Sequence, residues 1–307
     1  MTGFRLPIGI AAGGRPAAAC EIAPEGVVAA ATPAAGQAPV YAAEALGPLV
    51  MTPGLAEGNL VDSAAVSGAI RSALGQVSPR TKSVTVVVPD SAVRVFVLDF
   101  DTLPTRAEEA LPVLRFRLRK SVPFDVEHAG ISYQVLSEGS QRLETQWKVL
   151  AAIMPGPVLA EYESAVRSAG YEPGAVLPAS LAALAAIDSQ EAVLVANLSA
   201  RSLTTSIVLG SDILLYRTVE LPEDADAHKG ELQRAIAVAA AFFEDRLQVR
   251  PHRVLYSGML PAREFAELVA DPALAVGEVV PRPDVGMIST MGQHSVAGVT
   301  GALAGTN

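Results

Sequence analysis

Short apolar runs broken by glycine and proline open the chain. Residues 4–11 and 17–22 read as two strands around the Gly13-Gly14-Arg15-Pro16 turn, and Gly26–Thr32 reads as a third before a Pro/Ala/Gly loop. From Asp62 to Leu74 the spacing changes to helical, with Asp62 as cap and Val66, Ile70 and Leu74 on one stripe. The β-branched runs Val84–Val88 and Val93–Phe100 follow, joined at Pro89-Asp90. A helix opens at a Thr105/Glu108 capping box, buries Ala107, Leu111, Leu114 and Leu118, and carries Pro112 inside it. Strands at Ile131–Leu136 and Thr145–Ile153, a helix from Val158 to Ala169, strand Gly174–Leu177 and a helix over 179–187 complete the first half.

The second half repeats the order. Strands at Val193–Leu198, Thr204–Leu209 and Ile213–Val219 precede a helix that Glu223 and Asp224 start and that runs to about Leu247. Strand Arg253–Tyr256, helix Pro261–Val269 and a weakly patterned tail follow. Two αβ halves, each opening with clustered hairpin strands, predict a mixed α/β protein with internal duplication.

Composition narrows the class. Half of the 307 residues are hydrophobic and 18% are charged, which excludes disorder and allows a large core. A net charge of −9 argues against nucleic-acid binding, although Arg115, Arg117, Arg119 and Lys120 form one basic cluster, read as a solvated helix face. Cys20 is the one cysteine and the four histidines are scattered, so no metal site is expected. Mean hydropathy is +0.34, but the best apolar run, Ala235–Phe243, is far short of the roughly 20 residues a membrane helix needs. An export signal ending at Cys20 is also rejected, because Gly13 to Pro16 interrupt its apolar segment. Ser257, His252 and Asp245 lack a nucleophile-elbow motif, and Trp147 reads as a core residue of its strand.

The segment Leu118-Arg119-Lys120-Ser121-Val122-Pro123-Phe124-Asp125, with Tyr133-Gln134-Val135-Leu136 after it, resembles the insert subdomain of type IV pilus assembly proteins of the PilM kind. Pro89-Asp90 and Leu103-Pro104 fit the same pattern, whereas Ser132 stands where the family usually has Asp. The resemblance implies an α/β, two-lobed actin-like (ribonuclease H-like) fold with an inserted small α+β subdomain. The first lobe is then 1–187, with the insert at about 81–154, and the second lobe is 188–307. The latter is shortened, because only Leu221–Gly230 separates the hairpin strands from the late helix.

Actin-like ATPases hold Mg-ATP with acidic, glycine and hydroxyl residues at hairpin turns. Aligned with that pattern, Ala11 replaces an Asp and Ala18 a basic residue. Asn197, Ser199 and Leu203 replace an Asp, a Gly and a hydroxyl residue, and Gly258 is a lone survivor of a glycine segment. Losing three charged or hydroxyl contacts removes about 5 kcal/mol, or about 10³- to 10⁴-fold in affinity. The expectation is a degenerate, non-catalytic member without cofactor, its ATP and Mg retained only in the alternative of a nucleotide-dependent ATPase.

By the same resemblance, the partner is the cytoplasmic N-terminal segment of a bitopic inner-membrane pilus protein, with the motor platform as a further contact. Phe96, Leu98 and Phe124, with Arg119 as a polar neighbour, are the expected groove residues. This places the chain in the cytoplasm, peripheral to the inner membrane through its partner. A second alternative is the similar cytoplasmic component of a type II secretion platform.

Overall fold

The computed structural model describes residues 16–34, 37–137, 147–210, 212–282 and 294–304. The first lobe is a five-stranded sheet. Strands β1 (Ala18–Ala23), β2 (Gly26–Ala31) and β3 (Val40–Ala45) form an antiparallel meander, and β4 (Ser83–Val88) and β8 (Glu172–Pro178) add in parallel, in the order β3-β2-β1-β4-β8. The second lobe repeats this with β9 (Ala192–Leu198), β10 (Ser202–Leu209), β11 (Asp212–Glu220), β12 (Arg253–Gly258) and β13 (Ala275–Glu278), in the order β11-β10-β9-β12-β13. The duplication read from the pattern is thus the same strand topology written twice.

β1 and β2 are apolar at nearly every position because both faces are covered. Cys20, Ile22, Val27 and Ala29 pack toward helix α1 (Ser63–Val77), whereas Ala19, Val28 and Ala30 meet helices α4 (Ala179–Leu184) and α7 (Ala297–Leu303). Asp62 accepts from the Ala65 amide at 2.9 Å and so caps α1, as the sequence predicts. In the second lobe, α5 (Ala225–Leu247) is capped by Asp224, which accepts from the Ala227 amide at 2.9 Å. Its Leu232, Ile236, Ala239 and Phe243 pack on the sheet together with α6 (Ala262–Val269).

Between β4 and β8 lies a small α+β unit: β5 (Arg94–Phe100), α2 (Ala107–Leu118), β6 (Gly130–Ser137) and β7 (Trp147–Met154), with the antiparallel order β5-β7-β6, followed by α3 (Gly156–Ser168). Period-2 alternation sends Phe96, Leu98 and Phe100 under α2. Val95 and Val97 face the other way, toward Leu181 and Leu184 of α4 and Val195 and Val208 of the second lobe. No helix among the described residues is long and apolar enough to cross a membrane.

Several expectations need correction. The strand over 4–11 lies outside the described residues. The first hairpin among the described residues turns at Pro24-Glu25, eight residues after Pro16, because Ala17–Ala31 is apolar enough to pair with itself. The sequence of β3, VYAAEA, is short and Ala-rich and carries no clear strand signal. β4 belongs to the first-lobe sheet rather than to the insert, which therefore begins at β5. α2 starts at Ala107 behind Arg106, which makes no side-chain cap, so the Thr105/Glu108 box does not form. The tail is not second lobe either: α7 packs on α4 and β1, burying Val299, Ala302 and Leu303 in the first-lobe core.

Candidate functional site

Two concave places merit description. The first is the cleft between the lobes, where the C-terminal ends of β1, β4, β9 and β12 converge. In α/β sheets that is the usual end for ligand binding. Glu21, Pro24 and Glu25 of the β1–β2 turn line it with Pro89 and Asp90. Asn197–Ser199, Gly258 and His294 form the opposite wall.

The cleft is acidic and closed. Burial, with Glu25 and Asp90 nearby, pushes the Glu21 carboxyl up to about 8, and its Oε2 has no hydrogen-bond partner. Glu25 is raised by burial, and His294 is lowered by burial and by the charge of Arg282. The enclosed space is about 40 Å³. Asn197 Nδ2 donates to Ser257 Oγ at 2.8 Å and the Met259 amide to the Leu198 carbonyl at 3.2 Å. Gly258, at φ +147°, lies so close to Leu198 that a Cβ there would stand 2.3 Å from its carbonyl oxygen. Arg282 ties the same loop down, donating to the carbonyls of Gly258 and Leu260.

Asp90 bridges the lobes. Its carboxylate accepts from the Ser180 amide (3.1 Å) and hydroxyl (2.7 Å) and, across the cleft, from Thr204 Oγ1 (3.1 Å). Because Ser180 and Thr204 spend their protons on Asp90, Tyr216 must donate to Ser180 and Thr218 to Thr204. Burial raises the Asp90 carboxyl, while these bonds pull it back down. Thr204→Val is expected to cost about 1–3 kcal/mol by stripping one donor from a buried carboxylate. Thermal unfolding reads this as a fall of several degrees; an unchanged midpoint would show that the lobes do not depend on this bridge.

The second place is a groove of about 280 Å³ between the insert and the first lobe. Gly130, Ile131 and Ser132 of β6 form one side and Pro173–Val176 of β8 the other, with Ala152 and Met154 of β7 on the floor. Each of β6 and β8 is the outer strand of its own sheet. Ser132 Oγ is buried without a hydrogen-bond partner.

No protein-family model matches the sequence, and no curated protein is detectably similar to it. Solved structures are. A chain of the PilM–PilN type IV pilus biogenesis complex superposes with a TM-score of 0.71 at 18% identity, over 95% of this chain and 99% of that one. A Bacteroides thetaiotaomicron protein with an actin-like ATPase fold and unknown function gives 0.54 at 8% identity, over 94% and 95%. The fold is actin-like. The cytoplasmic domain of EpsL, an inner-membrane component of the type II secretion system of Vibrio cholerae, gives 0.50 at 15% identity, covering 85% of each chain.

In an actin-like frame the expected site residues separate. Ala11 lies outside the described residues, and Ala18 is buried in the first-lobe core at the start of β1. Among the described residues, the hairpin at the cleft is β1–β2, and the acidic residue of β1 that lines it is Glu21. A lone acid inside an apolar strand was the available signal. Asn197, Ser199 and Gly258 do line the cleft, but Ser199 Oγ is engaged within its own turn by Ser202, at 2.8 Å to Ser202 Oγ. Leu203 points into the second-lobe core, and its neighbour Thr204 supplies the hydroxyl that faces the first lobe. Asp90 passed for a turn residue in the sequence.

The residues expected to bind a partner lie elsewhere than this groove. Phe96, Leu98 and Phe124 pack against α2 inside the insert, and Arg119 is exposed and paired with Glu127 at 2.6 Å. None of the four lines the groove. The described residues that do include no aromatic side chain.

Proposed function

We propose that this chain is a non-catalytic scaffold of type IV pilus assembly, held on the cytoplasmic side of the inner membrane by the N-terminal segment of a bitopic partner. That segment lies extended in the groove between β6 and β8. The observation that carries the reading is this pair of open strand edges flanking one groove: unpaired backbone amides and carbonyls recognise an extended peptide by strand addition, with shallow pockets for alternate side chains. The full-length likeness to a chain of the PilM–PilN complex supports a pilus role over the shorter, weaker likeness to EpsL. Fluorescence anisotropy with the labelled cytoplasmic segment of the inner-membrane protein encoded beside this chain tests it. Micromolar binding is expected, and no binding by the folded chain overturns the proposal.

The cleft supports the non-catalytic half of the reading. A space of about 40 Å³ compares with the roughly 300–1,000 Å³ of ordinary ligand sites. Phosphate cradles need backbone amides and positive charge. Here the turn is Pro24-Glu25, with no N–H on the proline and a carboxylate beside it, and no Lys or Arg is among the described lining residues. A nucleotide-dependent ATPase is the second reading, favoured by one observation: Glu21 and Asp90 are two carboxylates of the kind that hold magnesium against phosphates. Calorimetric titration with Mg-ATP separates the two. No heat of binding up to about 1 mM, a Kd limit of roughly −4 kcal/mol, is expected; micromolar binding overturns the cofactor-free reading, and phosphate release on top of it establishes the ATPase.

A further inference from the structure

α5 buries one face on the second-lobe sheet, yet its opposite face is not the charged surface that a solvent-facing helix normally shows. Val238 and Phe242 are 44% and 38% exposed there, with exposed Ala237 and Ala241 beside them. Arg234 and Asp245, both exposed, close the patch at its two ends. The residues Arg234, Val238, Ala241 and Asp245 follow one another at spacings of four, three and four. These spacings keep the four on one stripe of the helix, two apolar residues between two of opposite charge.

From this face we infer that a second copy of the chain docks on α5, with the two helices antiparallel about a two-fold axis level with Ala239 and Ala240. The pattern is self-complementary in that arrangement and in no parallel one. Val238 meets the second copy's Ala241, and Ala237 meets its Phe242, so each large side chain faces a small one. Arg234 meets the second copy's Asp245, and by symmetry every contact is made twice. The alanines permit a close helix separation of about 8 Å. A parallel pair would instead set Arg234 against Arg234 and Asp245 against Asp245.

Charge decides between occupants. A chain of net charge −9 repels its own copy unless the contact carries matched signs, and the two ends of this patch do. An anionic membrane is poorly matched, because Asp245 and Glu231 border the same stripe. Arg234 already pairs with Glu231 at 2.8 Å while remaining 68% exposed, so its guanidinium is oriented yet open to a second carboxylate. One helix pair falls at or below the lower bound of standard interfaces, about 1,200 Å², the size class of weak, transient association.

Sedimentation of the full chain across about 5–200 µM should show a monomer–dimer equilibrium. Phe242→Asp is expected to leave only monomer with an unchanged thermal midpoint, since the residue lies outside the core. Arg234→Asp should weaken the dimer at least fivefold, and adding Asp245→Arg should restore it. Cysteine cross-linking gives an independent readout, as the native Cys20 is buried. In this geometry two Ala241→Cys thiols lie within about 5 Å along the axis, whereas two Lys229→Cys thiols are about 30 Å apart. The first should oxidise to a covalent dimer and the second should not. A chain that stays monomeric at the top concentration, or a dimer indifferent to Phe242→Asp with no Ala241→Cys cross-link, overturns the inference.

Discussion

Replacing Ser132 with arginine is expected to reduce binding of the partner segment at least tenfold, about 1.4 kcal/mol, with little change in thermal midpoint. Ser132 alternates with Ile131 and Tyr133, which pack into the insert core, so its own side chain faces the first lobe. A long guanidinium entering there fills part of a 280 Å³ groove that a strand-adding peptide would need. The buried, unpartnered Ser132 hydroxyl makes the position one that a ligand's polar group could satisfy. Phe96→Ala is the contrasting variant. Its ring packs under α2, so truncation should cost about 2–4 kcal/mol of stability while leaving the affinity of the remaining folded chain near wild type. Anisotropy and thermal unfolding on both variants distinguish a groove between β6 and β8 from one centred on the aromatic residues. The reverse pattern, Phe96→Ala blocking binding and Ser132→Arg not, would falsify this placement.

Glu21 sets the second large effect. Its folded-state carboxyl holds its proton up to about pH 8, above the 4.5 of a free glutamate. The folded state therefore binds more protons than the unfolded chain between those values. The stabilisation is complete below about pH 4.5 and is lost as pH rises through 8. Each unit of difference corresponds to about 1.4 kcal/mol, so stability on the order of a few kcal/mol should disappear between pH 5 and 9. Glu25 and Asp90, both raised, act with the same sign. Glu21→Gln keeps the shape without the charge and should flatten the profile. Its midpoint is expected to match wild type near pH 5 and to exceed it by several degrees near pH 9. A wild-type midpoint that does not fall over this range would exclude a buried, proton-holding Glu21.

The fold was legible where periodicity and caps agree. Asp62 and Asp224 cap the helices that their positions announce, and the repeated order of hairpin strands and helices in both halves revealed the duplication. Legibility failed where alanine dominates. β3 and α7 carry few large side chains, and both are held by what packs against them rather than by their own pattern. The cleft lining is hard to read in the sequence for a related reason. The glycine run at 9–14 looks more like a phosphate loop than Pro24-Glu25 does, and a single Glu21 inside an apolar strand does not announce a cleft residue. The groove between β6 and β8 is not legible in the sequence because no residue type marks an open strand edge. Asp90 shows the same difficulty in another form. Its partners Ser180 and Thr204 lie 90 and 114 residues away, a separation that no local window spans.

The position of α7 bears on how the molecule is made. Val299 and Ala302 complete a core whose other walls are β1, β2 and α4, so the amino-terminal half cannot finish packing until residues beyond 300 have left the ribosome. The carboxy-terminal sheet, β9 to β13, spans fewer than a hundred consecutive residues and has no such wait. Maturation should then run against the direction of synthesis, with the later-translated half consolidating first and the earlier half remaining open to chaperones in the interval.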